Sequence, residues 1–262
     1  MIGEAIFRIM RNSGTQAVDR ALSLLTSIIA DEGQTSIANI GRMQALAPAT
    51  TYRIASALVK QGFLIPVGRG RLVAGPALVA LASATSLRPA LVALGRPAVK
   101  RLARETRSIA HLGILEQDMV TYLIKAGRGS DANFTEEGKQ LEAYCSGIGK
   151  ALLAGLPSDE QDDYLANGPF VALTPHTITA PDELARELAR VRSQGFSRDA
   201  QEVALGLHCL AVAVHDPSGA AIAALSVSRN RLHDDEAGTL EMMRAAVTSI
   251  EHAIFGAASL PT

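Results

Sequence analysis

Apolar positions recur with a helical period through the first third of the chain and later change to a strand period. Val18, Ala21, Leu22, Leu25 and Ile29 fall on one helical stripe, which predicts a first helix from 18 to about 31, ended by Asp31-Glu-Gly33. Between 36 and 62, Ile37, Ile40 and Leu46 can meet Ile54 and Leu58, so two short helices are expected to lock across a break at 44–46. Pro48 opens the second of these and Gly62 closes it. The run from Phe63 to Ala74 then reads as an apolar hairpin with Arg69 and Arg71 at its tip.

Gly75-Pro76 marks a junction, and Ala77 to Leu87 is almost entirely small and apolar. A helix so apolar needs partners on more than one side. Pairing with its copy in a dimer and burial within the chain would both satisfy it. Pro89 starts a further helix to about Arg107, with Leu91, Leu94, Val99 and Leu102 expected inward. From Ala110 the period shortens to two: 111–115 and 119–124 read as strands around the turn Glu116-Gln-Asp118, followed by a mobile polar loop at 127–139. A short helix is expected at 149–156, then one capped by Ser158 through Leu165, and one from about Pro181 to Gln194 stopped by Gly195. Strands follow at 196–199, 210–215 and 221–228, the last two joined by Asp216-Pro-Ser-Gly219. Leu240, Met243, Val247, Ile250 and Ile254 define the closing helix. The expected organisation is a loose leader over 1–17, a winged helix-turn-helix over 18–75, a linker helix over 76–88 and one α/β sensor domain over 89–258.

A helix-turn-helix with a basic hairpin is a DNA reader. The candidate reading surface is the start of the second helix, Pro48, Ala49, Thr50, Thr51, Tyr52 and Arg53, with Arg20, Arg69 and Arg71 reaching phosphates. An ordinary pair of core helices has the same spacing, and the arginines at the hairpin tip favour DNA. Net charge is only −1, but it is unevenly placed: residues 1–75 hold eight Lys/Arg against four Asp/Glu, and dividing the chain after Arg107 leaves +9 before and −10 after. That asymmetry fits a basic arm for a polyanion joined to an acidic domain.

With 262 residues, 48% of them hydrophobic, the chain can bury a large core and hold two domains. Cys145 and Cys209 make no disulfide framework, no spacing suggests a metal site, and no run is long and apolar enough for a membrane span. A cytoplasmic protein without metal or cofactor is expected. Catalytic constellations are thin. Gly147-Ile-Gly-Lys150 lacks the earlier glycine and the hydroxyl residue of a phosphate loop, since Ala151 follows. His208 and Cys209 are neighbours that a strand would point to opposite faces. Asp199 and Glu202 read equally well as an exposed acidic loop. No catalytic residue is assigned, so the chain is expected not to be an enzyme. A binding pocket demands less: Ser226 and Ser228 share one strand face, Cys209 begins a neighbouring strand, and the turn 147–149 offers backbone N–H groups to an anion such as a carboxylate.

Several motifs in order carry a wider resemblance: Val18-Asp-Arg-Ala-Leu-Ser-Leu-Leu25, Gly149-Lys-Ala-Leu-Leu-Ala154, Thr174-Pro-His-Thr-Ile-Thr179, Leu188-Ala-Arg-Val-Arg-Ser-Gln-Gly195, and Glu202 to Gly206 followed by Cys209-Leu-Ala211. Along nearly its whole length the chain resembles the IclR family of bacterial transcriptional regulators. The resemblance implies an α+β fold with an N-terminal winged helix-turn-helix, a linker helix and a C-terminal GAF-like α/β effector-binding domain. It also implies a homodimer, sometimes a dimer of dimers, on palindromic operator DNA, controlling a catabolic operon in response to a small organic acid. Carried over from relatives that sense carboxylates, the effector-binding residues are Gly147, Ile148, Asp199, Leu207, Cys209, Ser226 and Ser228. A metabolite-binding protein or enzyme with a vestigial helix-turn-helix is the alternative.

Departures from the family pattern carry expectations of their own. Ala45 stands where glycine is usual in the reading turn, which costs roughly 1 kcal/mol if that position has positive φ. Pro48 and Ala49 replace a common Lys and Ser, leaving Thr50, Tyr52 and Arg53 to carry more of the DNA contact. Gln201 replaces the first of two acids, and Ala213 a usual proline. Tyr144, Cys145 and Ser146 replace an apolar lead-in, so Tyr144 and Cys145 are expected in a more polar pocket suited to a hydroxylated or aromatic acid.

Overall fold

The computed structural model describes residues 15–127, 135–229 and 235–256. The expected leader and the centre of the polar loop fall outside them, except that Gln16 already begins a helix. The chain divides into two compact units, 1–86 and 87–262.

In the first unit, helices α1 (Gln16–Asp31), α2 (Ile37–Met43) and α3 (Pro48–Lys60) precede a hairpin of β1 (Leu64–Pro66) and β2 (Leu72–Ala74), and α4 (Pro76–Ala84) follows. The core is Leu24, Leu25, Ile28, Ile37, Ile40, Ala55 and Leu64, with Leu46, Ile54 and Leu58 packed against it. The inward stripe of α1 is therefore rotated from the expected one. Val18 and Leu22 are each 57% exposed, because α2, α3 and β2 lie on the Leu24–Ile28 side. The apolar side of this helix is broad, running from Leu24 round to Leu22, so periodicity did not fix which part of it turns inward.

Gly41 sets the approach of α2 to α3: a Cβ there would come within 2.3–2.9 Å of the Thr51 side chain. Thr51 is 1% exposed and donates its hydroxyl to the Ala47 carbonyl. The Ile37 N–H donates to the Gly70 carbonyl and ties the hairpin tip to the start of α2. The linker helix α4 is shorter than expected, ending at Ala84, and none of its residues is buried. Leu78 packs half-buried against the core of this unit.

The second unit is a six-stranded antiparallel sheet in the order β5-β4-β3-β8-β7-β6, formed by β3 (Ile109–Glu116), β4 (Met119–Ala126), β5 (Gln140–Glu142), β6 (Ser197–Ala200), β7 (His208–His215) and β8 (Ala221–Arg229). One face packs on α5 (Arg88–Thr106) and α9 (Glu236–Phe255) through Leu91, Val99, Leu102, Leu112, Ile124, Val227, Met243 and Ile250. Gly95 and Ala98 take the inward place expected of Leu94, which is 43% exposed; Gly95 leaves room for Leu112 and Ile124. The other face carries α6 (Gly147–Ala154), α7 (Ser158–Leu165) and α8 (Pro181–Gln194) over a second core around Leu152, Leu153, Leu184 and Leu188. Alternation along β3 and β8 sends Leu112 and Val227 to the first core and leaves His111 and Ser226 on the α6 side. Gly195 ends α8 at φ +76, as its position after Gln194 predicts, and Gln117 and Asp118 make the β3–β4 turn at φ +51 and +66. Ser158 is the first helical residue of α7 and not its cap, a place that Pro157 holds. No single described helix is long and apolar enough to cross a membrane.

Candidate DNA-reading surface and effector cavity

Pro48 fills the first turn of α3, where its missing N–H costs nothing, and no side chain caps that end. Pro48, Ala49, Tyr52 and Arg53 are exposed and Thr50 is half-buried. Thr51 belongs to the helix–helix contact with Gly41, so the expectation that it faces DNA is corrected. Arg20 and Arg69 are exposed. Arg71 is half-buried, and its Nε is enclosed without a hydrogen-bond partner among the described residues. Ala45, in the turn between α2 and α3, adopts φ +54. Met43, 83% exposed, and Arg42, held by a 3.1 Å hydrogen bond to Asn39, stand just before this turn. Sequence reading passed over both, though they lie off the Ile37–Ile40 stripe.

In the second unit, the start of α6 rests on the sheet. The Ser146 hydroxyl accepts from the Gly149 N–H at 3.0 Å, and the Ser197 hydroxyl donates to the Gly147 carbonyl at 2.6 Å. Gly149 has no room for a side chain, since a Cβ would lie 2.1 Å from the Ala143 carbonyl oxygen. Beneath this helix start is a narrow cavity of about 30 Å³, lined by Gly147, Ile148, Asp199, Leu207, Cys209, Ser226 and Ser228 together with Ser146. This is room for one or two water-sized groups before side chains move.

Tyr144 and Cys145 do not line this cavity. The Tyr144 hydroxyl donates to the Val171 carbonyl at 2.7 Å and its ring stacks on Phe170, so the residue belongs to the core between α6 and α8. Cys145 is wholly buried behind it. The polar wall comes instead from His111, Tyr122 and Thr135, which also line the cavity. His111 Nε2 lies 3.0 Å from the Thr135 hydroxyl and its ring 4.9 Å from that of Tyr122. The strand period at His111 and Tyr122 was legible; that both occupy the α6 side required the β3–β4 register and its irregularity at Leu112/Gly113.

Charge in and behind the cavity is buried, which corrects the expectation of an exposed acidic loop. Asp199 is 2% and Glu202 5% exposed. Asp199 accepts from the Glu202 N–H at 2.7 Å, and the Cys209 thiol, 3.6 Å from Asp199 Oδ2, lies 3.2 Å from the Ser228 hydroxyl. Burial raises the Asp199 carboxyl against the pull of that N–H and of Lys150. Lys150, 1% exposed, pairs with Glu202 and lies 3.7 Å from Glu187. Burial still pushes Glu202 up to about 6. Thr174 and Thr177 donate to the Gln201 and Glu202 carbonyls, both at 2.7 Å, and Gln201 holds φ +67. Burial also pushes the Cys145 thiol up to about 12 and raises that of Cys209, so neither is poised as a thiolate nucleophile. His111 is pushed down to about 3 by burial and by nearby Lys125, and is therefore neutral.

Comparison with known proteins bears on both regions. The family model described as the IclR helix-turn-helix domain matches residues 17–66, and that described as Bacterial transcriptional regulator IclR C-terminal matches residues 85–252. The chain is similar to the HTH-type transcriptional regulator BhcR of Paracoccus denitrificans, with 31% identity over 94% of this chain and 89% of that protein. It is similar to the uncharacterized HTH-type transcriptional regulator RhmR of Escherichia coli, with 32% identity over 87% of each. Among solved structures, an IclR homolog from Microbacterium hydrocarbonoxydans complexed with 4-hydroxybenzoate has a TM-score of 0.60 and 26% identity, over 91% of this chain and 98% of that one.

Proposed function

Since this chain belongs to the IclR family of bacterial transcriptional regulators, with a helix-turn-helix domain and an effector-binding domain, we propose that a small organic acid, bound in the cavity under α6, controls its hold on operator DNA. The observation that carries this reading is the convergence of the α6 start, Asp199, Cys209, Ser226 and Ser228 on one cavity. Ser146 takes the Gly149 N–H, and the amides of Gly147 and Ile148 are left at the positive end of the helix to receive a carboxylate. Burial raises the Asp199 carboxyl, and a carboxylate bound beside it would raise it further. The relative crystallised with 4-hydroxybenzoate supports an aromatic acid. Because the cavity is narrow as it stands, the acid binds a wider form, and it acts on DNA only as far as it prefers the form with one operator affinity.

On the DNA side, Tyr52 and Arg53, with Thr50, Pro48 and Ala49, face base edges, and Arg20, Arg69 and Arg71 face phosphates. Two copies on a palindrome place two reading helices about 34 Å apart. The test is an anisotropy titration of the purified protein against its own upstream intergenic DNA, with and without aromatic and short aliphatic acids. Binding near 10⁻⁸ to 10⁻¹¹ M that falls steeply with salt and shifts with one acid is expected. Operator affinity that no acid changes would overturn the effector reading. Turnover of an acid without specific DNA binding would favour the enzyme alternative.

A further inference from the structure

The cavity holds more hydrogen-bonding capacity than a carboxylate uses, and the surplus lies on the β3–β4 side. Tyr122 is 6% and Ser226 4% exposed, both line the cavity, and among the described residues neither hydroxyl has a hydrogen-bond partner. Neither oxygen is sealed off from the cavity, so both are open to pair with a group bound there. His111 stands between them: it faces Ser226 directly across the β3–β8 ladder, and its ring lies against that of Tyr122.

Strand order separates this cluster from the carboxylate end. Ser226 opposes His111 on β3, whereas Ser228 opposes Cys209 on β7, and Cys209 opposes Asp199 on β6. From β3 to β7 is two strand spacings, roughly 10 Å. A ligand filling the cavity therefore meets polar groups at both ends, and the apolar Ile148, Val203 and Leu207 also line it.

We propose that Tyr122, with His111 and Ser226, forms a second subsite that selects an effector carrying a neutral hydroxyl distant from its carboxylate. This inference rests on the acid-effector reading above and narrows it to hydroxy acids. Arg229, which also lines the cavity, follows Ser228 on β8 and donates to the Ser108 hydroxyl and the Thr106 carbonyl, whereas beside Tyr122 His111 is neutral and Lys125 donates to the Thr135 carbonyl. A dicarboxylate of the same length is thus excluded, and a hydroxyl is welcomed as both donor and acceptor.

The test is calorimetric titration of the full chain with 4-hydroxybenzoate, benzoate and terephthalate, on wild type and on Tyr122→Phe. The expected result is that a hydroxylated acid binds about tenfold or more tighter than its deoxy partner, and that terephthalate binds worse than benzoate. In Tyr122→Phe the hydroxyl preference falls to under about threefold. Equal or better binding of the deoxy acid or of terephthalate to wild type overturns the subsite and leaves the acid pocket standing. A hydroxyl preference that survives in Tyr122→Phe also overturns it. Failure of every acid to bind wild type removes the acid-effector reading itself, and the subsite with it.

Discussion

Ala45 shows how one residue carries strain. It sits at φ +54 in the turn between α2 and α3, where its Cβ crowds the backbone and glycine would not. Ala45→Gly is accordingly expected to stabilise the protein by up to about 1 kcal/mol, the relief of strain outweighing the added freedom of the unfolded chain. Thermal or urea unfolding of the two proteins measures it, and a lower midpoint for the glycine variant would contradict it. The family's usual glycine at this position flagged the strain only conditionally, and the φ of +54 comes from the fold. The places of Tyr144 and Thr51 were not legible in the sequence. Each was assigned outward or into the pocket by position alone, and each is held by a partner distant in sequence or across the helix pair: Val171 and Phe170 for Tyr144, Gly41 for Thr51.

At the scale of elements, the loop from β6 to β7 is clamped from two sides. Thr174 and Thr177 hold its carbonyls, and Lys150 of α6 reaches Glu202. The clamp has a pH signature. Glu202 titrates at about 6 in the fold against 4.5 as a free carboxyl, with burial as the main cause and Lys150 opposing it. The folded state therefore binds more protons than the unfolded state between those values. The contribution is full below pH 4.5 and is lost as pH rises through 6, on the order of 1–2 kcal/mol. Comparing unfolding free energies of wild type and Glu202→Gln across pH 4–7 checks this: the difference between them should change through that window, and a constant offset would refute it. The helix and strand sequence around this loop was readable from periodicity and from Pro181 and Gly195. The buried ion pair was not, because Lys150 and Glu202 are 52 residues apart and come together only when α6 lies on the sheet.

For the whole molecule, α4 bears on assembly. It has no buried residue, with Val79 68% and Leu81 50% exposed, and a helix this apolar is stable in water only against a partner. If two copies pair there, Val79→Glu with Leu81→Glu should shift sedimentation toward the monomer and weaken operator binding together. An unchanged mass would place the dimer contact elsewhere. The two-unit plan, the helix-turn-helix with its hairpin and the strand–helix alternation were determined by the sequence alone, because backbone periodicity, proline and glycine act locally. The small and polar residues carried over from the family resemblance fall on one cavity. Tertiary structure decided which apolar face of α1 turns inward, that Asp199 and Glu202 are buried, and that His111 and Tyr122 replace Tyr144 and Cys145 at the cavity wall. Those outcomes depend on strand register and on how helices lie on the sheet, and such long-range contacts leave no periodic trace in the chain.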